Sequence, residues 1–473
     1  MNDRIALASV RRWSLRRAGG TRALVAAAAL AVVLPSLAGA QDTTRTKLPP
    51  GGVITLQDAI RIALAQNNAV RFARNSLVLD SLSIRSAKNA FLPNLSASSS
   101  ASQDVANGQG GNPFSASVGI SSGVTVYNGG QNRNILRQAR TNAAAGVADV
   151  ARTRQSVVFS VASDYLALIT QQQQLRVQQE NLTAQEQELA QLQEFVRRGT
   201  RPIGDLYQEQ AAVAATRLAM VNARRATEVA KVNLIQELVL DPRLEYTFAT
   251  PVDSTAAIVV DTTSPALQAF NLDSLISVAF QQRADLRAQA LRVQSAQTEI
   301  SIAEGGRMPT VSGSAGYGSG FNSGSDDGFG TQLNQRRGGS VGVNVSVPIF
   351  DRGATSIARQ RAQVQLENEL LTLRDLEQSV ALDVRRAYLD YISAGEQLAA
   401  ATAQQRAAAL SLQAAQTRYR VGLATLVEVT LARASLIQAQ SSVVSARSSL
   451  IFQQALMSYY TGALDPSNVN VGG

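Results

Sequence analysis

The 473 residues include no cysteine, no histidine and a single tryptophan. Without thiols there is no disulfide framework, no iron–sulfur ligation, no thiol chemistry and no Cys-rich zinc site. Without imidazoles there is no Ser-His-Asp triad, no His metal site and no ordinary proton shuttle near neutral pH. Carboxylates, Lys and Tyr form no constellation that suggests catalysis, and SSS at Ser98–Ser100 and the Gly-rich stretches read as loop chemistry. No enzyme activity, catalytic residue, metal or cofactor is therefore expected. Aromatics are also scarce at 5%, which is thin for two or three separate soluble cores. The abundance of Ala, Gln, Ser and Leu suits long helices better.

A concentrated basic surface is missing too. Arg4, Arg11, Arg12, Arg16, Arg17 and Arg22 against Asp3 place +5 of the net +9 in residues 1–40. The remaining +4 is scattered without a basic run, whereas a nucleic-acid footprint needs a clustered patch. Residues 1–40 read as a secretory signal peptide: an Arg-rich start, an apolar stretch Ala23–Leu37, and Ala38-Gly39-Ala40 before Gln41. The apolar stretch of 15 residues is short for a membrane anchor, since a spanning helix needs about 20. With no Cys, lipoprotein anchoring is excluded. No later stretch has the hydrophobicity of a spanning helix, so an exported chain that enters a membrane must do so as strands.

What is present is a duplication. Ile54–Ser98 aligns without a gap on Phe270–Ser314 at an offset of 216, placing Leu56 on Leu272, Ala63 on Ala279 and Pro93 on Pro309. SVGISSGVTVYNGGQ from Ser117 aligns on SVGVNVSVPIFDRGA from Ser340 at an offset of 223, which then places Gly199 on Gly422 and Asp205 on Glu428. The extra residues fall in GYGSGFNSGSDDGFGTQLNQRRGG, so this stretch and its counterpart read as loops joining two strands. The chain divides into the signal peptide at 1–40, a first repeat at 41–240, a linker or equatorial segment at 241–269, a second repeat at 270–462 and a tail at 463–473.

Each repeat changes period twice. Val118, Ile120, Val124 and Val126 alternate with Ser117, Gly119, Ser121, Gly123 and Thr125. In the second copy Val341, Val343, Val345, Val347 and Ile349 alternate with Ser340, Gly342, Asn344, Ser346 and Pro348. The strands before these alternate more weakly, through Leu95, Ala97 and Ala101, and through Val311, Ala315 and Tyr317. Strands of about ten residues cross an outer membrane when tilted; a soluble half-buried hairpin is the plainer alternative. The remainder predicts helices over 54–90, 130–197 and 205–238, with Val161, Leu168, Leu175, Leu182, Leu189 and Val196 at the seven-residue coiled-coil spacing. The second copy repeats that seam as Val384, Tyr391, Leu398, Leu412 and Tyr419, broken by Gln405.

Four strands cannot close a barrel, because about eight is the least that does. An open edge facing lipid would leave backbone N–H and C=O groups without partners. If the strands are in a membrane, chains must pool them.

The opening helix ITLQDAIRIALAQN, the junctions FLPNLSAS and RMPTVSGS, the junctions VYNGGQ and FDRGA, and the segment RYRVGLATLVEVTLA, duplicated in this order, resemble the TolC-like outer-membrane efflux proteins. The resemblance covers the whole mature chain. It implies a mixed α and β fold in which four strands per chain build a trimeric 12-strand barrel. The barrel would continue into a periplasmic tunnel of long antiparallel helices. It further implies an outer-membrane exit duct of a tripartite efflux or type I secretion system. The partners would be outer-membrane lipid, a periplasmic adaptor (membrane fusion protein) and, through it, an inner-membrane pump. The alternative is a structural or adhesive outer-membrane coiled-coil protein without transport.

The resemblance places adaptor docking at the helix–turn–helix tips: Gly199 and Thr200 in the first copy, and Val421, Gly422, Leu423 and Thr425 in the second. It places an entrance gate at Tyr419, Arg420, Glu428 and Leu431, with Asp205 as the repeat partner of Glu428. A carboxylate in a first helical turn also offsets the helix dipole, the plainer role for Asp205 and Glu428. Leu431 stands where the family often has a second acidic residue and Ala424 where it has an Arg link, which speaks against a double acidic ring and that link. Closure by charge and closure by an apolar ring both stay open.

Overall fold

A computed structural model describes residues 53–103, 114–249 and 271–463. The expected signal peptide, positions 250–269 of the linker and 464–473 of the tail lie outside these. The first repeat contains β1 (Val53–Ile54), α1 (Leu56–Gln66), α2 (Asn68–Asn89), β2 (Asn94–Gln103), β3 (Phe114–Asn128), α3 (Gln131–Arg197) and α4 (Ile203–Glu237). After β4 (Thr247–Phe248) the second contains α5 (Leu272–Gln282), α6 (Ala284–Glu304), β5 (Thr310–Asn322), α7 (Phe329–Gln335), β6 (Gly338–Ser346), α8 (Ala354–Arg420) and α9 (Leu426–Tyr460). The long helices α3 and α8 have 67 residues each and α4 and α9 have 35 each. At 1.5 Å per residue the long helices reach about 100 Å.

The helices form four columns. α4 meets α2 end to end, where the Asn67 amide donates to the Glu237 carbonyl at 3.1 Å. α3 runs beside that column and, on its other flank, lies against α6 and then α9. Arg292–Asp149 at 2.5 Å ties α3 to α6, and Thr170–Ser448 at 2.7 Å ties it to α9. α8 flanks the α6/α9 column, with Gln289 of α6 donating to Glu369 of α8 at 2.8 Å. The apolar core sits where the short helices cross the long ones. Ala59, Ala63, Val70, Val157, Val161 and Leu234 are buried together in the first repeat. Their repeat mates Leu275, Ala279, Leu286, Val380, Val384 and Met457 are buried together in the second.

The four-stranded sheet is antiparallel in the order β2-β3-β5-β6, so the two repeats join through β3 and β5. Its register sorts the residues into two faces. Val341, Ala315 and Ser122 share one row, Val343, Gly313 and Val124 the next apolar one, and Ile120 pairs with Tyr317 between Gly339 and Ala97. The opposite face carries Ser96, Ser121, Gly316 and Ser340 in one row and Thr125, Ser312 and Asn344 in another. Serine hydroxyls satisfy one another across it, Ser96 with Ser121 at 2.9 Å and Ser100 with Ser117 at 2.7 Å. Among the described residues, no strand residue of the sheet is charged.

Several expectations are corrected. The helix expected over 54–90 breaks at Asn67, and its repeat mate breaks at Arg283, both with extended backbone. Asn67 ends α1 and caps α2 by accepting from the Ala69 N–H at 2.8 Å, an interaction that competes with helix continuation. Val126 does not share the face of Val118, Ile120 and Val124: a bulge between Thr125 and Tyr127 pairs Tyr127 with Val311 and leaves Val126 as the extra residue. β6 ends at Ser346, short of Val347 and Ile349, where Pro348 has no N–H for the ladder. The Gly/Ser-rich stretch of the second copy holds β5 as far as Asn322 and then the short helix α7. Gln332 of α7 is buried and replaces missing backbone partners, donating to the Asn322 and Asp327 carbonyls at 3.0 and 2.6 Å.

Candidate functional site

Both tips end their long helix in the same way. The Gly199 and Thr200 N–H groups donate to the Val196 and Phe195 carbonyls, each at 3.0 Å. Those of Gly422 and Leu423 donate to the Tyr419 and Arg418 carbonyls at 3.0 and 2.8 Å. This paired closure requires a left-handed residue at its pivot, and Gly199 and Gly422 have φ of +74° and +79°. A Cβ built on either would meet nothing within 4 Å, so the backbone there is open to an incoming partner. Thr200, Val421, Leu423 and Thr425 are exposed around these turns.

The tips differ at the next helix start. Thr425 opens α9 with a capping box, its hydroxyl accepting from the Glu428 N–H at 3.3 Å while Glu428 accepts from the Thr425 N–H at 3.4 Å. Glu428 also pairs with Arg418 at 3.4 Å. Its carboxylate thus has a structural task within its own chain. Pro202 opens α4 without a side-chain cap. The Asp205 carboxylate is instead turned across to the other hairpin, where it accepts from the Tyr419 hydroxyl at 2.9 Å. Burial, and then the Asp205 carboxylate, push the Tyr419 hydroxyl up to about 12, so it remains a donor through the physiological range. Arg420 is exposed and donates to Thr417 at 3.3 Å. Leu431 is 64% exposed, on the side of α9 away from buried Leu426 and Val429.

Sequence reasoning missed four participants. Arg201 donates to the Tyr419 carbonyl at 2.7 Å and lays its guanidinium over the Tyr419 ring, 4.1 Å from the centroid. Arg201 is the repeat mate of Ala424, so an arginine does reach this junction, but from the first tip. Deeper in, Arg433 of α9 pairs with Glu188 of α3 and with Glu209 of α4, the latter at 3.3 Å. Arg433 and Glu209 are buried. The signal was in the sequence: Arg433 continues the apolar stripe Leu426, Val429, Leu436, and Glu209 interrupts Leu206, Val213 on α4. Burial pushes the Glu209 carboxyl up.

These features define an open four-stranded sheet with one apolar and one polar face, continued by a layer of long helices that ends in paired tips. The chain belongs to the outer membrane efflux protein family, whose pattern matches residues 59–238 and 275–462. It is 26% identical to the outer membrane protein TolC of Vibrio cholerae over 343 residues, covering 71% of this chain and 75% of that one. It is 25% identical to the outer membrane efflux protein BepC of Brucella suis over 426 residues, covering 87% and 86%. The fold matches the crystal structure of CusC with a TM-score of 0.74 at 19% identity, covering 86% of this chain and 92% of that one. Proteins of this family are transport channels rather than enzymes. The chain is thus an outer-membrane efflux duct that extends into the periplasm, which decides against the adhesive alternative.

Proposed function

We propose that three copies of the mature chain, from Gln41, pool their sheets into a 12-strand barrel and their helices into a periplasmic tunnel. Cargo would pass through it from an inner-membrane pump by way of a periplasmic adaptor. The observation that carries this reading is the sheet itself: four strands in open order, apolar on one face and Ser/Gly/Thr/Asn on the other. Such a sheet is stable in lipid only when β6 of one copy pairs with β2 of the next. The apolar face then meets lipid and the uncharged small-residue face lines water.

The tips are the periplasmic entrance on this reading. Gly199, Thr200, Val421, Gly422, Leu423 and Thr425 receive the adaptor. Asp205, Tyr419, Arg420, Glu428 and Leu431 control passage, with Arg201 joining them. The uncharged strands support this assignment, because the charges and apolar ring able to select or stop a solute are at the helical end. Native mass spectrometry of the detergent-extracted protein tests the assembly: a trimer is expected, and a stable monomer overturns the proposal.

A further inference from the structure

A structured element stands at the outer end of the sheet, opposite the helical tips. Val311, Gly313, Ala315, Tyr317, Ser319 and Phe321 alternate along β5 on the apolar face. From Val311 to Phe321 is about 33 Å along the strand and about 25 Å in depth at a tilt near 40°. That depth matches the apolar band of a membrane barrel, which aromatic girdles bound at both interfaces. Tyr127, paired with Val311, marks the inner boundary, and Phe321 marks the outer one. The short helix α7 is fastened at this outer boundary. The Ser319 hydroxyl, on the apolar face, donates to the Leu333 carbonyl at 2.6 Å, and the Phe329 ring packs on Phe321 with centroids 5.1 Å apart. Phe114 of β3 extends the aromatic group, 6.4 Å from Phe321. Buried Gln332 accepts from the Asn322 N–H at 2.9 Å and donates to the Asn322 and Asp327 carbonyls. These contacts hold α7 on the apolar side of the sheet rather than over the polar face.

The helix then delivers the chain to a pair of arginines. Arg336 and Arg337 are exposed, and Arg337 lies two residues before Gly339, which pairs with Tyr317 in an apolar-face row. Asp326 and Asp327 stand beyond the opposite end of α7, a helix about 10 Å long at 1.5 Å per residue. Arginine stems lie along apolar surface while their heads rise to the polar layer, and a guanidinium fork binds phosphate bidentately. Phe329 remains 59% exposed beside them despite its contact with Phe321. We propose that Arg336, Arg337 and Phe329 bind an outer-leaflet lipid with a phosphorylated headgroup, the arginines taking the phosphate and the ring lying against the acyl chains. A membrane lipid fits better than a free anion, because the site continues the apolar face and a free phosphate has no use for an exposed ring. Residues 104–113 of the first-copy loop include neither Arg nor Lys, so each chain supplies one such basic pair.

The site rests on the reading that the apolar face meets lipid, and native mass spectrometry of the detergent-purified chain with added lipid separates the two. With bisphosphorylated lipid A as the probe, trimers should retain one molecule per chain. The double variant Arg336→Gln, Arg337→Gln should need roughly tenfold more lipid A, or higher, for equal occupancy. Arg307→Gln, beside the inner end of β5, should bind like the parent. Phosphatidylethanolamine, whose headgroup carries no net charge, should be retained less than lipid A. No retention by the parent, equal retention by the double variant, an equal loss in Arg307→Gln, or equal retention of phosphatidylethanolamine overturns the site. Displacement of lipid A by an equal concentration of inorganic phosphate also overturns it, by showing a free-anion site. If the double variant does not assemble, Arg337→Gln alone decides: weakened retention supports the site and parental retention overturns it. Trimers that hold no lipid A through these arginines remove the site alone. Monomers that do hold it remove the trimer reading alone, and monomers that do not remove both.

Discussion

The strand register makes a sharp demand on two neighbouring residues. Val343 lies in a row with Gly313 and Val124 on the apolar face, and Asn344 in a row with Ser312 and Thr125 on the polar one. Arginine at the bilayer midplane of a lipid-facing strand costs about 2–4 kcal/mol, falling toward the interfaces. Val343 is three residues from the end of β6 at Ser346, roughly 10 Å along the strand and 7–8 Å in depth after a tilt near 40°. That depth is short of the midplane, so the lower end, about 2 kcal/mol per copy, is the appropriate figure for Val343→Arg. Three copies in one barrel give about 6 kcal/mol per assembly, if the sites act independently. Asn344→Arg should cost little, because the long side chain enters water. Its signature is positive instead: three arginines in a lumen otherwise free of strand charge should turn the pore toward anions. Urea unfolding from liposomes measures the first effect and reversal potentials in a salt gradient the second. Equal destabilisation by the two substitutions, or no selectivity change with Asn344→Arg, would refute the assignment of the faces.

The tips yield further expectations. Gly422→Trp places a non-glycine residue at φ +79°, a strain of about 1–2 kcal/mol with open space around it. Trimers should still reach the membrane while export in cells is lost; loss of assembled protein would make Gly422 a folding residue instead. Tyr419→Phe removes the hydroxyl that Asp205 accepts and should raise resting conductance without reducing trimer yield. Because that hydroxyl is pushed up to about 12, its stabilising contribution is complete below the ordinary tyrosine value near 10. It is lost as pH rises through about 12, so parental conductance should climb over that alkaline window and Tyr419→Phe should not follow it. Glu428→Gln retains a capping acceptor and loses only an exposed ion pair worth about 0–1 kcal/mol. It should leave stability unchanged and reduce cation selectivity, whereas Leu431→Ser should raise resting conductance if an apolar ring closes the entrance.

Much of this protein follows from local sequence. Period-2 runs of Val and Ile against Ser and Gly define strands with one apolar and one polar face, because a side chain on a strand has only two faces to choose from. The fixed offsets of 216 and 223 carry the element boundaries of one repeat onto the other, and Gly199 and Gly422 mark the reversals because their turns need a left-handed residue. Other features depend on residues far away in sequence. The bulge that removes Val126 from the apolar face exists only through pairing with β5, and the break at Asn67 only pays off where Glu237 arrives to receive its amide. Arg201 and Tyr419, or Glu188, Glu209 and Arg433, lie in different hairpins, and no spacing rule within one helix brings them together. A charge on an apolar stripe announces that a partner must exist, since a buried ion without one is too costly. Only the packing of α9 against α3 and α4 decides which partner that is.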